Sequence, residues 1–112
     1  MNRGEIWWAE LPDPQGSEPG YRRPIIIISS NAFNKSKIRT IIAVAISTNL
    51  ILANAPGNVP LSQKETGLPK DSVANISQVI TIDKNFLTEC VGSIPQKIMK
   101  RIDIGLRLAM EL

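Results

Sequence analysis

A chain of 112 residues with 43% hydrophobic content has room for one domain spanning 1–112, with a small core, and no second. Its 13 basic and 10 acidic residues leave a net charge of +3, which suits a polyanionic partner without requiring one. There is no His and a single Cys, Cys90, so zinc sites, thiol–imidazole pairs and imidazole acid–base chemistry are excluded. Any reaction must use Arg, Lys, Glu, Asp or hydroxyl groups. The carboxylates, Glu65, Asp71 and Asp83 among them, show no metal-ligand spacing and read as turn and cap residues, so neither metal nor cofactor is expected.

The apolar runs Ile25–Ile28 and Ile41–Ile46 fall far short of the ~20 residues that span a bilayer, so no membrane segment is expected. Arg3 and Glu5 put charges where a signal peptide needs apolar residues, and Cys90 has no intrachain partner. A cytoplasmic protein is the expectation.

In chain order, Glu5–Glu10 reads as a first strand, with Ile6 and Trp8 on one face and Trp7 and Ala9 on the other. One of the two tryptophans is expected in the core, the other offering stacking area. A long loop over Leu11–Arg22 follows. Pro24 opens a strand but does not sit centrally in one, which predicts a second strand over Ile25–Ser29, its unbroken isoleucines buried on both faces. Asn31 is expected to cap a short helical turn through Lys35. Thr40–Ser47 reads as a third strand and Thr48–Gly57 as a flexible loop. Val59–Leu61, Ser72–Val79 and Leu87–Ser93 read as shorter strands, separated by the Gly67-Leu68-Pro69 turn and the Asp83-Lys84-Asn85 segment. After Pro95, the recurrence of Ile98, Ile102, Leu106 and Ala109 predicts an amphipathic terminal helix. Its cations Lys97, Lys100, Arg101 and Arg107 make a solvated polar face or a contact for RNA or an acidic partner. Short strands closed by one helix predict a mainly β chain, a small antiparallel barrel.

The stretch Gly16-Ser17-Glu18-Pro19-Gly20-Tyr21-Arg22-Arg23-Pro24 brings two adjacent guanidinium groups to the mouth of a strand. Guanidinium is planar, permanently charged and able to donate two parallel bonds to phosphate oxygens, so the pattern points to a phosphodiester. Taken alone, the pair also fits a solvated turn.

Gly4-Glu5-Ile6-Trp7-Trp8, the Gly-Ser-Glu loop closing in Arg23-Pro24, the strand end Ile46-Ser47-Thr48, and the later Gln78 and Thr81-Ile82-Asp83-Lys84 together resemble the MazF/PemK toxin ribonucleases over nearly the whole length. The resemblance implies an SH3-like barrel of the CcdB/MazF toxin type with a C-terminal α-helix. It also implies a homodimer acting on single-stranded RNA and a cognate antitoxin that neutralises it. In the implied reaction the ribose 2′-hydroxyl attacks the adjacent phosphodiester, leaving a 2′,3′-cyclic phosphate and a 5′-hydroxyl with no metal.

On this resemblance Arg23 holds the scissile phosphate. A guanidinium with a free pKa above about 12 is a poor base, so its electrostatic role outweighs proton transfer. Glu18 matches the loop glutamate and is a candidate base. Ser47 falls at the family's catalytic threonine, a departure that keeps the donor and loses the β-branch that stiffens χ1. The alternative for Ser47 and Thr48 is local backbone bonding at a strand end. Ser17, Arg22, Thr48 and Gln78 are implied RNA contacts. A second reading, from a different class, is a non-catalytic CcdB-like toxin that poisons a protein such as DNA gyrase. A third is a catalytically dead RNA-binding barrel.

Overall fold

The computed structural model describes residues 1–11, 16 and 21–112. The elements are β1 (Glu5–Leu11), β2 (Tyr21–Ile27), α1 (Asn31–Lys35), β3 (Thr40–Ser47), β4 (Val59–Leu61), α2 (Gln63–Thr66), β5 (Ser72–Asp83), β6 (Leu87–Ser93) and α3 (Gln96–Met110). Short 3-10 turns cover Leu50–Asn54 and Lys84–Phe86. All strand pairs are antiparallel, in the order β4-β5-β3-β2-β1-β6, and the sheet curls into a half-barrel with α3 as the long closing helix. The mainly β fold expected from the sequence is therefore present.

Burial follows the period-two alternation of the strands. Ile6, Ile26, Val44 and Ile46 point into a cluster that Ile98, Ile102 and Leu106 of α3 complete. Ala9, Ile25, Ile27, Ile41 and Ala43 form a second cluster, with Trp7 packed against it. Ile25, Ile26 and Ile27 are fully buried, as the isoleucine run predicts, each worth about 1.5–3 kcal/mol relative to exposure. Arg3 secures the helix to the sheet: its guanidinium bonds Asp103 at 2.6 Å and donates to the Ile28 carbonyl at 2.7 Å.

Several boundaries differ from the sequence reading. β2 starts at Tyr21 and runs through Pro24, because the ladder to β3 begins only at Ile25↔Ala45, so Pro24 lies outside it and needs no N–H on that side. Ser30, not Asn31, caps α1, accepting from the Phe33 N–H at 3.1 Å. The expected loop over Thr48–Gly57 contains a 3-10 turn capped by Asn49. β5 continues to Asp83 across a bulge: Val44 faces Val79 while Ala45 faces Asn75, leaving Ile76, Ser77 and Gln78 unopposed on β3. Asn58 bridges this bend, accepting from the Ile76 N–H at 2.8 Å and donating to the Leu52 carbonyl at 2.8 Å. Ala109, expected on the apolar face of the last helix, is exposed. Glu65, Asp71 and Asp83 do serve as cap and turn acceptors, bonding the backbone N–H groups of Ser62, Gln63 and Asn85.

The approach of α3 to the 57–58 turn requires glycine on both sides. Gly57 has φ +82, and a Cβ on Gly105 would collide with the Gly57 carbonyl oxygen. Alanine is about 1 kcal/mol better than glycine within a helix, but overpacking against fixed backbone typically costs about 1–3 kcal/mol. Gly105→Ala is expected to lower the thermal midpoint in calorimetry; an unchanged or raised midpoint would show that the contact yields.

Candidate active site

β1 aligns Trp8 with Pro24, Ala9 with Arg23 and Glu10 with Arg22. Alternation then sends the two arginines to opposite faces of the sheet. The two side chains thus leave the backbone in opposite directions, because both residues lie inside β2 rather than in a loop before it.

Arg22 shares the face of Trp8 and Glu10. Its guanidinium carbon lies 4.3 Å from the centroid of the Trp8 ring. Its Nε is 3.7 Å from Glu10 Oε1 and its Nη2 3.5 Å from Glu89 Oε2. Each pair is half-exposed and individually weak, but together they orient the guanidinium over the indole. Arg23 is half-buried and leaves the strand on the side of Ala9 and the second cluster.

The register that pairs Ile25 with Ala45, carried two residues toward the strand ends, sets Arg23 opposite Ser47. Ser47 ends β3, paired with Val73 on its other side. Its Oγ accepts from the Asn49 N–H at 3.1 Å, the local backbone bond foreseen as its alternative role. That bond uses one lone pair and leaves the hydroxyl proton available for donation. Thr48 is exposed and turns instead toward a cleft of about 350 Å³. Trp8, Tyr21, both arginines and Ile46 contribute to the wall of that cleft, and Leu68, Pro69 and Lys70 close its far side.

Gln78 lies half-buried on the β5 bulge and does not line the cleft. Ser17 and Glu18 lie outside the described residues. Neither tryptophan is fully buried, contrary to the expectation of one in the core: Trp7 packs on the second cluster with its indole N–H bonded to Glu5 at 3.0 Å, and Trp8 faces the cleft. Sequence reasoning passed over Tyr21, Leu68, Pro69 and Lys70. None of the four carries a distinctive signal in the sequence; in the structure Tyr21 has φ 60, a conformation costing a non-glycine residue roughly 1–2 kcal/mol. Among the described residues no three His, Cys, Asp or Glu side chains converge as a metal site would require.

Solved structures match this architecture along the full chain. An endoribonuclease in complex with its cognate antitoxin, from Mycobacterial species, aligns with a TM-score of 0.81 at 23% identity, covering 100% of this chain and 96% of that one. MazF from Deinococcus radiodurans aligns with a TM-score of 0.82 at 18% identity, covering 100% and 97%. Both establish the fold, a curled six-stranded antiparallel half-barrel with a C-terminal helix. At the level of sequence, the family described as PemK-like, MazF-like toxin of type II toxin-antitoxin system matches residues 2–110. Endoribonuclease MazF2 of Mycobacterium bovis is 44% identical over 112 residues, covering 100% of this chain and 98% of its own. Endoribonuclease EndoA of Bacillus subtilis is 31% identical over 112 residues, covering 100% and 96%. The chain belongs to the PemK/MazF toxin family.

The Glu5 carboxyl, which orients Trp7, sits below the usual carboxylate range. Burial pushes it up, but the Asn2 N–H, the Trp7 indole and the N-terminal ammonium together outweigh that. Because the folded value lies below the unfolded one, the stabilisation is present above about pH 4.5 and is lost as the pH falls through the folded value. Glu5→Gln is expected to cost under about 1 kcal/mol at neutral pH and to converge on the wild type in acid, read by urea titration across pH. A constant difference down to acid pH would contradict this.

Proposed function

We propose that the chain is a sequence-selective endoribonuclease toxin that cuts single-stranded RNA without a metal and is held inactive by a cognate antitoxin. The observation that supports the reading is the β2–β3 register: extended two residues beyond the Ile25↔Ala45 pair, it aligns the backbone of Arg23 with that of Ser47. Family membership supports the toxin role, and relatives named as endoribonucleases support the activity.

The substrate supplies its own nucleophile, the ribose 2′-hydroxyl. The protein must align that hydroxyl with the phosphorus and the departing 5′-oxygen, and offset the charge that grows on the non-bridging oxygens. Arg23 suits the second task as a fixed cation with parallel donors. Ser47 Oγ donates to the same phosphate while its lone pair holds the Asn49 N–H, which fixes the hydroxyl in place of the missing β-branch. Glu18 is the proposed base that accepts the 2′-hydroxyl proton. The 5′-oxygen leaves and is protonated, giving the cyclic phosphate and a 5′-hydroxyl.

Ser17, Arg22, Thr48 and Gln78 are proposed to contact RNA outside the scissile phosphate. For Arg22 and Thr48 the cleft beside Trp8 offers a guanidinium plane already stacked on the indole and a hydroxyl to an unstacked base, a stacking contact worth roughly 1–3 kcal/mol. The proposed working unit is a homodimer in the cytoplasm, and the antitoxin is proposed to cover the Arg23 edge.

Purified protein incubated with a long single-stranded RNA in excess EDTA is expected to release fragments with 2′,3′-cyclic phosphate and 5′-hydroxyl ends. The same site within a duplex should resist cutting, because base readout in RNA needs splayed bases. Activity that appears only on adding a divalent metal, or equal cutting of duplex, would overturn the mechanism.

A further inference from the structure

At the end of β3 remote from Ser47, four cations crowd one short stretch of surface. Lys35, at the end of α1, and Lys37 and Arg39, between α1 and β3, are exposed, and Lys84 begins the 3-10 turn that packs beside them. Lys84 is anchored: its Nζ donates to the Asn34 carbonyl at 2.7 Å, and its backbone N–H to the Arg39 carbonyl at 2.8 Å. This pins the 34–39 segment against the turn and shapes a cleft of about 270 Å³, walled by Lys37, Arg39 and Lys84 with Ser36 and Asn85.

The described residues that wall this cleft carry three cations, Lys37, Arg39 and Lys84, against one carboxylate. Its carboxylate, Asp83, is turned to the backbone, accepting from the Asn85 N–H at 2.8 Å. Among the described residues the ion pairs involve Arg3 and Arg22, and none involves Lys35, Lys37, Arg39 or Lys84. One apolar residue, Ile38, lines the cleft, too little for a docked apolar side chain or helix. A concave, cationic, hydrogen-bonding surface of this size fits a phosphate backbone.

Its position adds to the argument. Thr40, the first residue of β3, pairs with Asp83, and Ser47 is the last residue of that strand. At about 3.3 Å per residue the two ends lie roughly 23 Å apart, within reach of the ~4–16 nucleotides that small nucleic-acid-binding barrels cover. We propose that the Lys37–Arg39–Lys84 cleft, with exposed Lys35 close by in the chain, is a second contact for the backbone of a single-stranded RNA cut at the Arg23–Ser47 edge, an inference that rests on the ribonuclease reading. A substrate long enough to reach both ends gains affinity from the distal phosphates, and one that covers only the cut site does not.

The test compares the wild type with the triple variant Lys35→Gln, Lys37→Gln, Arg39→Gln, leaving the anchoring Lys84 in place. A control, Lys64→Gln, removes an exposed cation elsewhere, and circular dichroism checks folding. Binding of a long mixed-sequence 2′-O-methyl RNA, which lacks the attacking hydroxyl, is measured against salt. The patch variant is expected to bind roughly tenfold more weakly, its salt slope smaller by about 2, while the control stays near the wild type. With cleavable RNA, the patch variant should raise KM on the long substrate at unchanged kcat and match the wild type on a short one. Equal binding by patch variant and wild type, or an equal loss in the control, overturns the proposal. If the wild type cuts no RNA but binding still depends on the patch, the contact stands and the ribonuclease reading falls.

Discussion

Pro24 sits where β2 passes from pairing with β1 alone to pairing with both neighbours, and that position sets the register of the sheet's centre. The isoleucines after it cannot do this themselves. Ile25, Ile26 and Ile27 are buried on both faces, so a slip of one residue would exchange one isoleucine for another at little cost in buried area. A slip that carried Pro24 into the β3 ladder would remove a backbone donor there, and it would also bring Arg23 opposite Trp8 and Arg22 opposite Ala9. The alternation of small and large neighbours works in the same direction: Ala9, Ala43 and Ala45 stand against odd-numbered positions of β2 and larger side chains against the even ones.

The division of labour between the two arginines follows from this register. Arg22 is held by Glu10, Glu89 and the Trp8 ring, a set that spans β1 and β6 and shapes one wall of the larger cleft. Arg23 leaves the strand on the opposite side, toward the Ser47 end of β3. Adjacent guanidinium groups in sequence therefore differ in electrostatic surroundings, and their removal should not have equivalent consequences.

Much of this fold was legible from periodicity alone, and the errors fall where a local rule met a tertiary exception. β1, β3, β4, β6 and the core positions Ile98, Ile102 and Leu106 follow their apolar patterns. The start of β2 was hidden because proline ordinarily excludes a central strand, and the missing β3 ladder at Pro24 cannot be seen in one sequence. β5 was cut short because the bulge at Ile76–Gln78 interrupts its alternation. α2 was overlooked although Ser62 and Glu65 spell a capping box, a signal that was there to read. At the site, the strand-end hydroxyls and the arginines were visible as motifs. The cleft was not, since Leu68, Pro69 and Lys70 reach it from more than forty positions along the chain from Arg23.

The central proposal is that Arg23 and Ser47 act on one phosphate while Thr48, which lines the cleft beside them, contacts RNA away from the scissile bond. Single-turnover cleavage by Ser47→Ala and Thr48→Ala, each alone and combined with Arg23→Ala, measures this directly. The account predicts a loss of about 10²–10³ in rate for Ser47→Ala, a far smaller loss for Thr48→Ala, and strong coupling of Arg23 to Ser47 alone. A fully active Ser47→Ala beside a dead Thr48→Ala would contradict it and move the reacting hydroxyl one residue along the chain.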